Sequence, residues 1–487
     1  MALHAEKDSR SLIVAKFGGS SVRDARAMQN CGEVIKKFAA IKVAILSATY
    51  NTTNELEMLA AHAVGRAQTI SGKIVSSDAA TLKKHIEEKH FTLAQDLGVA
   101  QEIHDDLAKI LHNLQATLAI IKDSADLAHY LKLHEMIYAV GELLSTTIFA
   151  AYLKKVFPSR KVVWLDSRQN IITDDHWTQA SVDWPKTQER MAILKKELAS
   201  DDTILYVAQG FIGATPAGDG TTLGREGSDL SAALYAAALS ATELQIWTDV
   251  PGIASADPRR VKNVKYLPFL SYHQANLLSS LGAKVLHYKT LYPVMEQQIP
   301  VWVGQTTQPE KGTHITLNPH PAQGVLALQP VQDLGVGFMS LAQGKRLADL
   351  ALRGLPNHLP PYLAMFSYNA KAMVLICHTA DVERWMNFMR EQQLAENEII
   401  WGQVDGIYLL GNFDHARVCQ IMAAYLQKKK INPHLGLHFP PQELGGLPED
   451  LVWLPIDKNG GIFLLERSFH AAVLEDLHRL LIEEQKF

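Results

Sequence analysis

Short segments rich in β-branched residues alternate with longer helical segments from the N-terminus to residue 305. These segments read SLIVAKF, KVAILSA, KVVWLDS, TILYVAQGFIG, ELQIWTDV and PVWVGQ. Strands that are separated by helices usually pair in parallel, and helices then cover both faces of the sheet. The pattern therefore predicts an α/β domain with a doubly wound parallel sheet, whose ligands bind beyond the C-terminal ends of the strands.

Two changes of pattern suggest how the chain is organised. Residues 79–130 are helical and rich in charge and histidine, which predicts a helical excursion over one edge of the sheet. Prolines and glycines cluster around residues 306–324, which predicts a boundary after a first domain of residues 1–317. The shorter strand–helix units beyond it predict two small ferredoxin-like modules, 318–402 and 403–487. Whether these modules interleave is left open.

Composition excludes several classes of protein. Hydrophobic residues make up 47% and charged residues 20% of the chain, and the formal net charge is −4, so no broad basic surface indicates nucleic-acid binding. Cys31, Cys377 and Cys419 are too few and too scattered for a disulfide framework or a CxxC metal site. The N-terminus is polar, and no uninterrupted apolar run approaches the ~20 residues of a membrane span. We expect a cytoplasmic protein without nucleic-acid or membrane partners.

The segment Lys16-Phe17-Gly18-Gly19-Ser20-Ser21 lies at the first predicted strand-to-helix turn. Glycines at such a turn allow backbone N–H groups to converge on an anion, and the helix N-terminus adds partial positive charge. Lys16 would add a full positive charge. The lysine precedes the glycines, so this is not a Walker A loop. The motif predicts a phosphate site, and the alternative is a tight turn without a ligand.

Three further segments carry charged residues in places that suit ligand binding. GDGTTLGREGSD precedes an alanine-rich helix and contains Arg225, whose planar fork suits a carboxylate or phosphate, and Asp229, in the first helical turn. Asp229 would cap the helix, orient Lys16 or bind a metal. Glu142 lies in a largely apolar helix and needs a partner, either a salt bridge or a substrate ammonium.

The last of these segments, WTDVPGIASADPRRV, combines a strand end with two turns. Thr248 and Asp249 end the strand, Arg259 follows the second turn, and Lys284 follows Gly282 further along the chain. Backbone groups at the turn and these cations would suit a nucleotide. The alternative for each cation is an ordinary solvated side chain.

Together these motifs occur in an order that resembles the aspartokinases of the amino acid kinase superfamily. The order is KFGGSS, the loop from Ser47 to Asn54, GELLST, QGFIG, TTLGREGSD, TDVPGI…DPR and GAKVLH, over about residues 12–317. The resemblance is to the lysine-sensitive, single-function bacterial type. It implies an amino acid kinase-like parallel sheet sandwiched by helices, followed by two ACT-like α+β modules that form a homodimer. It also implies ATP and Mg²⁺ as cofactors and L-aspartate as substrate.

The resemblance further implies roles for individual residues. Lys16 and Asp229 would be catalytic, with Lys16 on the transferred phosphoryl group. No metal-binding side chains are assigned. The substrate-binding residues would be Thr53, Glu142, Phe211, Arg225 and Ser228, and the ATP-binding residues Gly18, Gly19, Ser20, Thr248, Asp249, Arg259, Lys284 and Val285. The β-carboxylate of aspartate has a pKa of ~3.9 and is already a nucleophile at neutral pH, so no general base is required.

Several positions depart from the family pattern. Asn51 and Glu226 replace glycines, Ala254 replaces a tyrosine and Tyr288 a proline, while Tyr50 adds bulk near the acceptor. Glu226 places a negative charge beside Arg225. Two alternatives to an aspartate kinase are therefore kept: a kinase for another amino acid or carboxylate, and a regulatory homologue without turnover. The usual glycine-led effector loop is hard to find after residue 332, so we expect ACT-like modules without ordinary lysine inhibition.

Overall fold

The computed structural model describes residues 11–65, 78–124, 126–280, 288–318, 323–353, 364–367, 372–394, 400–429, 452–457, 460–465 and 471–484. By its internal contacts the chain divides into two units. The first comprises Met1–Ile253, Pro268–Tyr272 and Leu286–Asn318, and the second comprises Ala254–Leu267, His273–Val285 and Pro319–Phe487. The predicted boundary at 317 lies beside Asn318, but residues 254–267 and the described residues 273–280, expected in the first domain, belong to the second unit.

The first unit is built on one large sheet. Its strands are β1 Ile13–Phe17, β2 Ile41–Leu46, β3 Lys161–Leu165, β4 Ile204–Gln209, β7 Glu243–Thr248, β8 Phe269–Ser271, β9 Val301–Gln305 and β10 Gln308–Thr316; a separate hairpin pairs β5 Ile212–Ala214 with β6 Gly220–Thr222. The order is β3-β4-β2-β1-β7-β9-β10-β8, and every neighbouring pair is parallel except β9 with β10. This confirms the predicted fold class.

The helices of this part of the chain pack around the sheet. Their bounds are α1 Ala25–Lys37, α2 Thr52–Ala63, α3 Ala79–Asp96, α4 Ala100–Ile121, α5 Leu127–Tyr138, α6 Val140–Val156, α7 Trp184–Ser200, α8 Gly227–Leu239 and α10 Tyr288–Glu296, while α9 Tyr272–Ser280 lies almost wholly in the second unit. Helix α8 is alanine-rich and almost wholly buried, because small side chains allow its backbone to approach the sheet closely. Helices α3 and α4 account for most of the predicted excursion at 79–130.

One stretch, Leu127–Val156, is long and apolar enough to cross a membrane by length and composition. It covers α5 and α6, whose turn at Ala139 is itself helical. The most apolar window of this stretch is 78% buried inside the protein, and it contains the buried Glu142. The apolar composition of α5 and α6 is therefore explained by their place in the core of the first unit.

The second unit contains a second sheet. Its strands are β11 Gly324–Ser340, β12 Ala364–Ser367, β13 Ala372–His378, β14 Ile400–Asn412, β15 Val452–Asp457 and β16 Gly460–Leu465, in the antiparallel order β12-β13-β11-β14-β16-β15; its helices are α11 Leu341–Arg353, α12 Val382–Glu391, α13 His415–Lys429 and α14 Ala471–His478. Strands β11 and β14 pair along most of their length, so the predicted module boundary at 402/403 falls inside β14.

The described residues of this second unit form two apolar cores. One includes Met339, Leu375 and Trp385, and the other includes Leu328, Leu409 and Leu474. Residues 254–267 pack with the second core, because Ala256 and Val261 belong to it. In addition, the hydroxyl of Ser255 lies 2.8 Å from Nε2 of His478, at the end of α14. These contacts explain why this segment separates from the first unit.

Candidate active site

The C-terminal ends of four strands in the first sheet lie in one row. Phe17 at the end of β1 is in register with Leu46 of β2 on one side and Trp247 of β7 on the other, and Leu46 is in register with Gln209 of β4. The loops that follow these strands therefore start side by side. All four carry motifs that were singled out in the sequence, so the row is the natural place for a ligand.

Hydrogen bonds extend this row by one residue. The Gly18 N–H donates to the Trp247 carbonyl at 3.1 Å, the Ser47 N–H to the Phe17 carbonyl at 3.1 Å, and the Gly210 N–H to the Leu46 carbonyl at 2.8 Å. These bonds fix where the loops leave the sheet. The loop geometry is therefore determined by strand pairing as well as by local sequence.

Lys16 and Asp229 form an ion pair at the centre of the row. Lys16 lies near the end of β1, and Asp229 lies in the first turn of α8, where a carboxylate is stabilised by the helix dipole. Their side chains are only 12% and 4% exposed, respectively, so little water screens the pair. Of the three predicted possibilities for Asp229, the geometry supports the orientation of Lys16.

The glycine pair leaves space beside the Lys16 ammonium. A Cβ on Gly18 would lie 3.4 Å from Lys16 Nζ, and a Cβ on Gly19 would lie 3.0 Å from the Ala48 carbonyl oxygen, which is a close contact. Ser20 belongs to a short 3₁₀ turn, Gly19–Val22, and is partly exposed. Lys16, Gly18, Gly19 and Ser20 are thus adjacent in the way that an anion site requires.

Glu142 occupies the first turn of α6 and is 3% exposed. Its Oε1 accepts a hydrogen bond from the Ala48 N–H at 3.1 Å, while Oε2 is buried and has no hydrogen-bond partner among the described residues. Burial raises the pKa of Glu142 to about 8, although the Ala48 N–H acts in the opposite direction. A buried carboxylate oxygen without a partner is costly, and an ammonium group from a ligand would satisfy it.

Arg225 and Glu226 immediately precede α8. Within the described parts of the chain, Arg225 is exposed and has no hydrogen-bond or ion-pair partner. Partial burial raises the pKa of Glu226, and Asp229 raises it further, whereas Lys16 and Arg225 lower it. Both cations are therefore close enough to act on the same carboxylate.

Phe211 and Ser228 are also neighbours of this site. Phe211 has a φ of 70°, and its N–H donates to the Ser231 hydroxyl at 3.0 Å. A Cβ on Gly210 would lie 2.5 Å from the Ser228 Cβ, so the turn after β4 packs directly on the first turn of α8. Ser231 was not predicted, although its position one helical turn after Gly227 could have suggested it.

The acceptor-side loop connects β2 to α2. Thr53 is the second residue of α2 and is partly buried, and Asn51 has a φ of 67°, the left-handed conformation for which glycine is usual. Ser145, inside the GELLST motif, donates to the Ser47 carbonyl at 2.8 Å. The loop is thus attached to α6, the helix that carries Glu142. The role of Ser145 was not predicted from the motif.

The residues predicted for the nucleotide side are less completely described. The Thr248 hydroxyl donates to Asp249 Oδ1 at 3.0 Å, and Gln305 Nε2 donates to the Asp249 carbonyl at 3.0 Å. In the second unit, Arg259 binds both carboxylate oxygens of Asp257, at 2.9 and 2.8 Å. Lys284 and Val285 lie outside the described residues. Across the described ranges, no group of three or more His, Cys, Asp or Glu side chains could hold a metal ion.

Comparison with known proteins gives a consistent result. The model of the amino acid kinase family matches residues 11–305. Lysine-sensitive aspartokinase 3 of Escherichia coli is 33% identical over 307 residues, which are 63% of this chain and 64% of that protein. The aspartokinase of Chlamydia muridarum is 32% identical over 300 residues, 62% of each protein. The matched part thus covers less than two-thirds of these relatives.

Similarity to solved structures extends over nearly the whole chain. Escherichia coli aspartokinase III in complex with aspartate and ADP matches with a TM-score of 0.71 and 25% identity, over 96% of this chain and 99% of that one. The aspartate kinase of Clostridium acetobutylicum matches with a TM-score of 0.67 and 20% identity, over 96% and 100%, which is a likeness of fold. The resemblance to aspartokinases seen in the motifs is confirmed. Because the family model spans more than half of its length, the chain belongs to the amino acid kinase family.

Proposed function

We propose that this protein is an ATP-dependent aspartate kinase, which transfers the γ-phosphate of ATP to the β-carboxylate of L-aspartate and produces 4-phospho-L-aspartate and ADP. One observation carries the proposal. Lys16, a largely buried cation, lies near the end of β1, and Glu142, a buried carboxylate with one oxygen unpartnered in the described chain, is hydrogen-bonded to the loop after the neighbouring strand β2. Such a pair suits a substrate with both an ammonium group and a reacting anion.

The reaction needs electrostatic help more than proton transfer. A β-carboxylate oxygen attacks the γ-phosphorus, a new O–P bond forms, and the bond from phosphorus to the β,γ-bridging oxygen breaks, so that ADP leaves with that electron pair. No proton must be removed, because the acceptor is ionised at neutral pH. Lys16 and the backbone N–H groups of the turn after Gly18 would offset the charge on the phosphoryl oxygens. Asp229 would keep the Lys16 ammonium oriented toward them.

The substrate side would recognise aspartate by its two charged α-groups. Glu142 would accept the ammonium group, and Arg225 would bind the α-carboxylate through its planar fork. Thr53, Phe211 and Ser228 would line the remaining surface of the acceptor. In these assignments each charged side chain binds a substrate group of opposite charge, and the β-carboxylate is left to face Lys16.

The remaining assignments concern the nucleotide. Gly18, Gly19 and Ser20 would line the phosphate path, and Thr248, Asp249, Arg259, Lys284 and Val285 would contact the rest of ATP. Mg²⁺ usually retains several waters and binds through substrate phosphates and one or two carboxylates. An ion that arrives with ATP needs no preformed cluster of protein ligands, and the described ranges contain none. When bound, Mg²⁺ would supply additional charge neutralisation on the phosphates.

A hydroxamate assay tests the proposal. The purified chain is incubated with ATP, Mg²⁺ and hydroxylamine, and with L-aspartate or each of a panel of other amino acids. Acyl phosphates react with hydroxylamine, so aspartate-dependent hydroxamate together with equal ADP release is the expected result. Aspartate-independent ADP release, or no product with any acceptor, would contradict the proposal. A variant in which Met replaces Lys16 controls for a contaminating kinase.

A second candidate is a kinase for another amino acid or carboxylate. The observation that favours it is Glu226, whose carboxyl group shares the electrostatic environment of Lys16 and Arg225. An additional negative charge here would weaken binding of a second substrate carboxylate. Turnover with another acceptor at higher kcat/KM than with aspartate, in the same panel, would decide for this candidate.

For the assembly we propose a homodimer formed through the ACT-like second unit, in the cytoplasm. Strands β12 and β15 lie at the two ends of the six-stranded order in the described part of that unit. End strands offer unpaired backbone groups that a second copy can use across a two-fold axis. Sedimentation velocity at several protein concentrations tests this proposal, and a concentration-independent monomer would exclude it.

A further inference from the structure

A chain of hydrogen bonds connects the acceptor-side loop to α3, the first helix of the excursion. The Lys89 ammonium donates to the Tyr50 carbonyl at 2.7 Å and to the Thr52 hydroxyl at 2.8 Å. The Thr52 and Thr49 hydroxyls are 2.6 Å apart, and the Thr49 hydroxyl lies 3.0 Å from Nε2 of His90. The loop is therefore held by two consecutive residues of a helix that no motif singled out.

The direction of each hydrogen bond follows from its two ends. His90 Nδ1 lies 2.7 Å from the Ile86 carbonyl, which can only accept, so Nδ1 carries the proton and Nε2 accepts from Thr49. Lys89 can only donate, so Thr52 accepts from Lys89 and donates to Thr49. Burial lowers the pKa of His90 to about 4, which keeps the ring neutral as this arrangement requires. The hydroxyls of Thr49 and Thr52 and both ring nitrogens of His90 are thereby satisfied.

These groups are buried, so the chain of bonds is a rigid support. Thr49, Thr52 and His90 are each at most 1% exposed. The side chain of Lys89 is 17% exposed, and its charge is balanced by Glu55, in the first turn of α2, at 3.5 Å. Burial lowers the pKa of Lys89, whereas Glu55 raises it. An apolar side chain at position 89 could fill the same space as the Lys89 stem, but it could not donate the hydrogen bonds to Tyr50 and Thr52.

We propose that Lys89 is a positioning residue for the phosphoryl acceptor, and this rests on the proposed function. Lys89 holds the backbone at Tyr50 and the side chain of Thr52, the residues on either side of the left-handed Asn51. The same loop supplies the Ala48 N–H to Glu142 and leads directly into Thr53. Without Lys89, the loop keeps the Thr49–His90 bond but loses two hydrogen bonds to α3, and the carboxylate acceptor is held less closely to the position of attack.

Steady-state kinetics with matched variants provide the first test. Lys89→Met keeps the length of the stem and removes the hydrogen bonds, and Lys89→Arg restores a donor. Lys84→Met is the control, since Lys84 lies on the same helix with a 74% exposed side chain. We expect Lys89→Met to raise the KM for the acceptor by roughly tenfold, the usual effect of a lost hydrogen bond to a charged group. The KM for ATP should change less than twofold, and Lys89→Arg should recover most of the loss.

Hydrogen exchange provides a second readout that does not depend on activity. In Lys89→Met, the amides of residues 48–55 should exchange at least tenfold faster than in the wild type, while those of residues 14–22 remain unchanged. Unchanged exchange in 48–55, or an equal rise of both KM values, would overturn the inference. If the wild type lacks aspartate turnover but the exchange difference is present, the acceptor assignment is wrong and the positioning role of Lys89 stands.

Discussion

Lys16, near the end of β1, forms a buried ion pair with Asp229, in the first turn of α8. The two residues belong to different motifs, and each alone has an ordinary structural explanation. Their pairing brings the glycine turn and the N-terminus of the alanine-rich helix to the same place. Each residue balances the charge of the other, and a buried charge without a partner would be strongly destabilising.

Replacement of Lys16 tests the role of this pair. We expect Lys16→Met to lower kcat by at least about 10²- to 10³-fold, the usual loss for a group that stabilises transition-state charge. It should also lower stability by about 3–5 kcal/mol, because Asp229 remains buried and unpaired. Activity is measured by the hydroxamate assay and stability by urea unfolding followed by circular dichroism.

Two variants separate the two effects of that replacement. The double variant Lys16→Met/Asp229→Asn should recover stability without activity. Lys42→Met, on β2 and paired with the exposed Asp202, should retain near-normal kcat. A kcat for Lys16→Met within tenfold of the wild type would contradict the central assignment.

Binding of the acceptor should depend on pH through Glu142. Its pKa in the free protein is raised to about 8 by burial, so the carboxyl group is mostly protonated at pH 7. A substrate ammonium binds the ionised form, and binding therefore releases a proton. Below pH 8 the ionised fraction falls up to tenfold per pH unit, so the KM for aspartate should rise as pH falls and level off above pH 8. KM is measured from pH 6 to 9.

Glu142→Gln is the control for that profile. The amide is nearly the same size and does not titrate in this range, so the KM for aspartate should be high and almost independent of pH. The difference between the two proteins should therefore be largest at the alkaline end. A variant that keeps the pH slope of the wild type would show that another group is responsible.

Glu226→Gly tests whether the charge beside Arg225 matters. Glu226 has a φ of 59°, which glycine adopts without strain, so stability should change by about 0–1 kcal/mol in favour of the variant. Loss of the negative charge should also lower the KM for aspartate. Ser240→Gly is the matched control, since Ser240 has a φ of 55° at the other end of α8. Ser240→Gly should show a similar change in stability but no change in the KM for aspartate. If the two variants have equal KM values for aspartate, the charge of Glu226 has no effect on acceptor binding.

Lysine should not inhibit this protein. Strand β11 ends at Ser340 and α11 begins at Leu341, so no glycine-led loop separates them. The Ser340 N–H and hydroxyl both donate to Gln343 Oε1, at 3.0 and 2.9 Å, which caps the helix with its own side chains. Millimolar lysine should leave the rate at subsaturating aspartate unchanged, with a lysine-sensitive aspartokinase assayed in parallel. Half-inhibition in that range would contradict this prediction.

The sequence indicates the motif residues of the candidate site better than it indicates the residues that contact them from distant parts of the chain. Lys16, Gly18 and Gly19 could be proposed from the sequence, because a phosphate turn needs a cation and glycines close together in the chain, and their roles stay predictions. Asn51 could be predicted to be left-handed because it replaces a glycine. Lys89 and His90 could not, because nothing in a charged amphipathic helix distinguishes a lysine that is hydrogen-bonded to a distant loop from one in solvent. The packing of residues 254–267 with the second unit depends on Ala256 and Val261, whose apolar side chains would suit either unit.

The sequence by itself determined the parallel sheet, its helices and the four loops that carry the motifs, because strand and helix periodicity and turn residues are local properties. Only the tertiary structure decided which loops meet. The register of Phe17 with Leu46 and Trp247 aligns the strand ends, and it depends on pairing between segments that are distant in the chain. Three features follow from that alignment: the pairing of Lys16 with Asp229, the unpartnered oxygen of Glu142 and the hydrogen bonds from Lys89. They cannot be predicted from local sequence, because ion pairs and hydrogen bonds join residues that are distant in the chain.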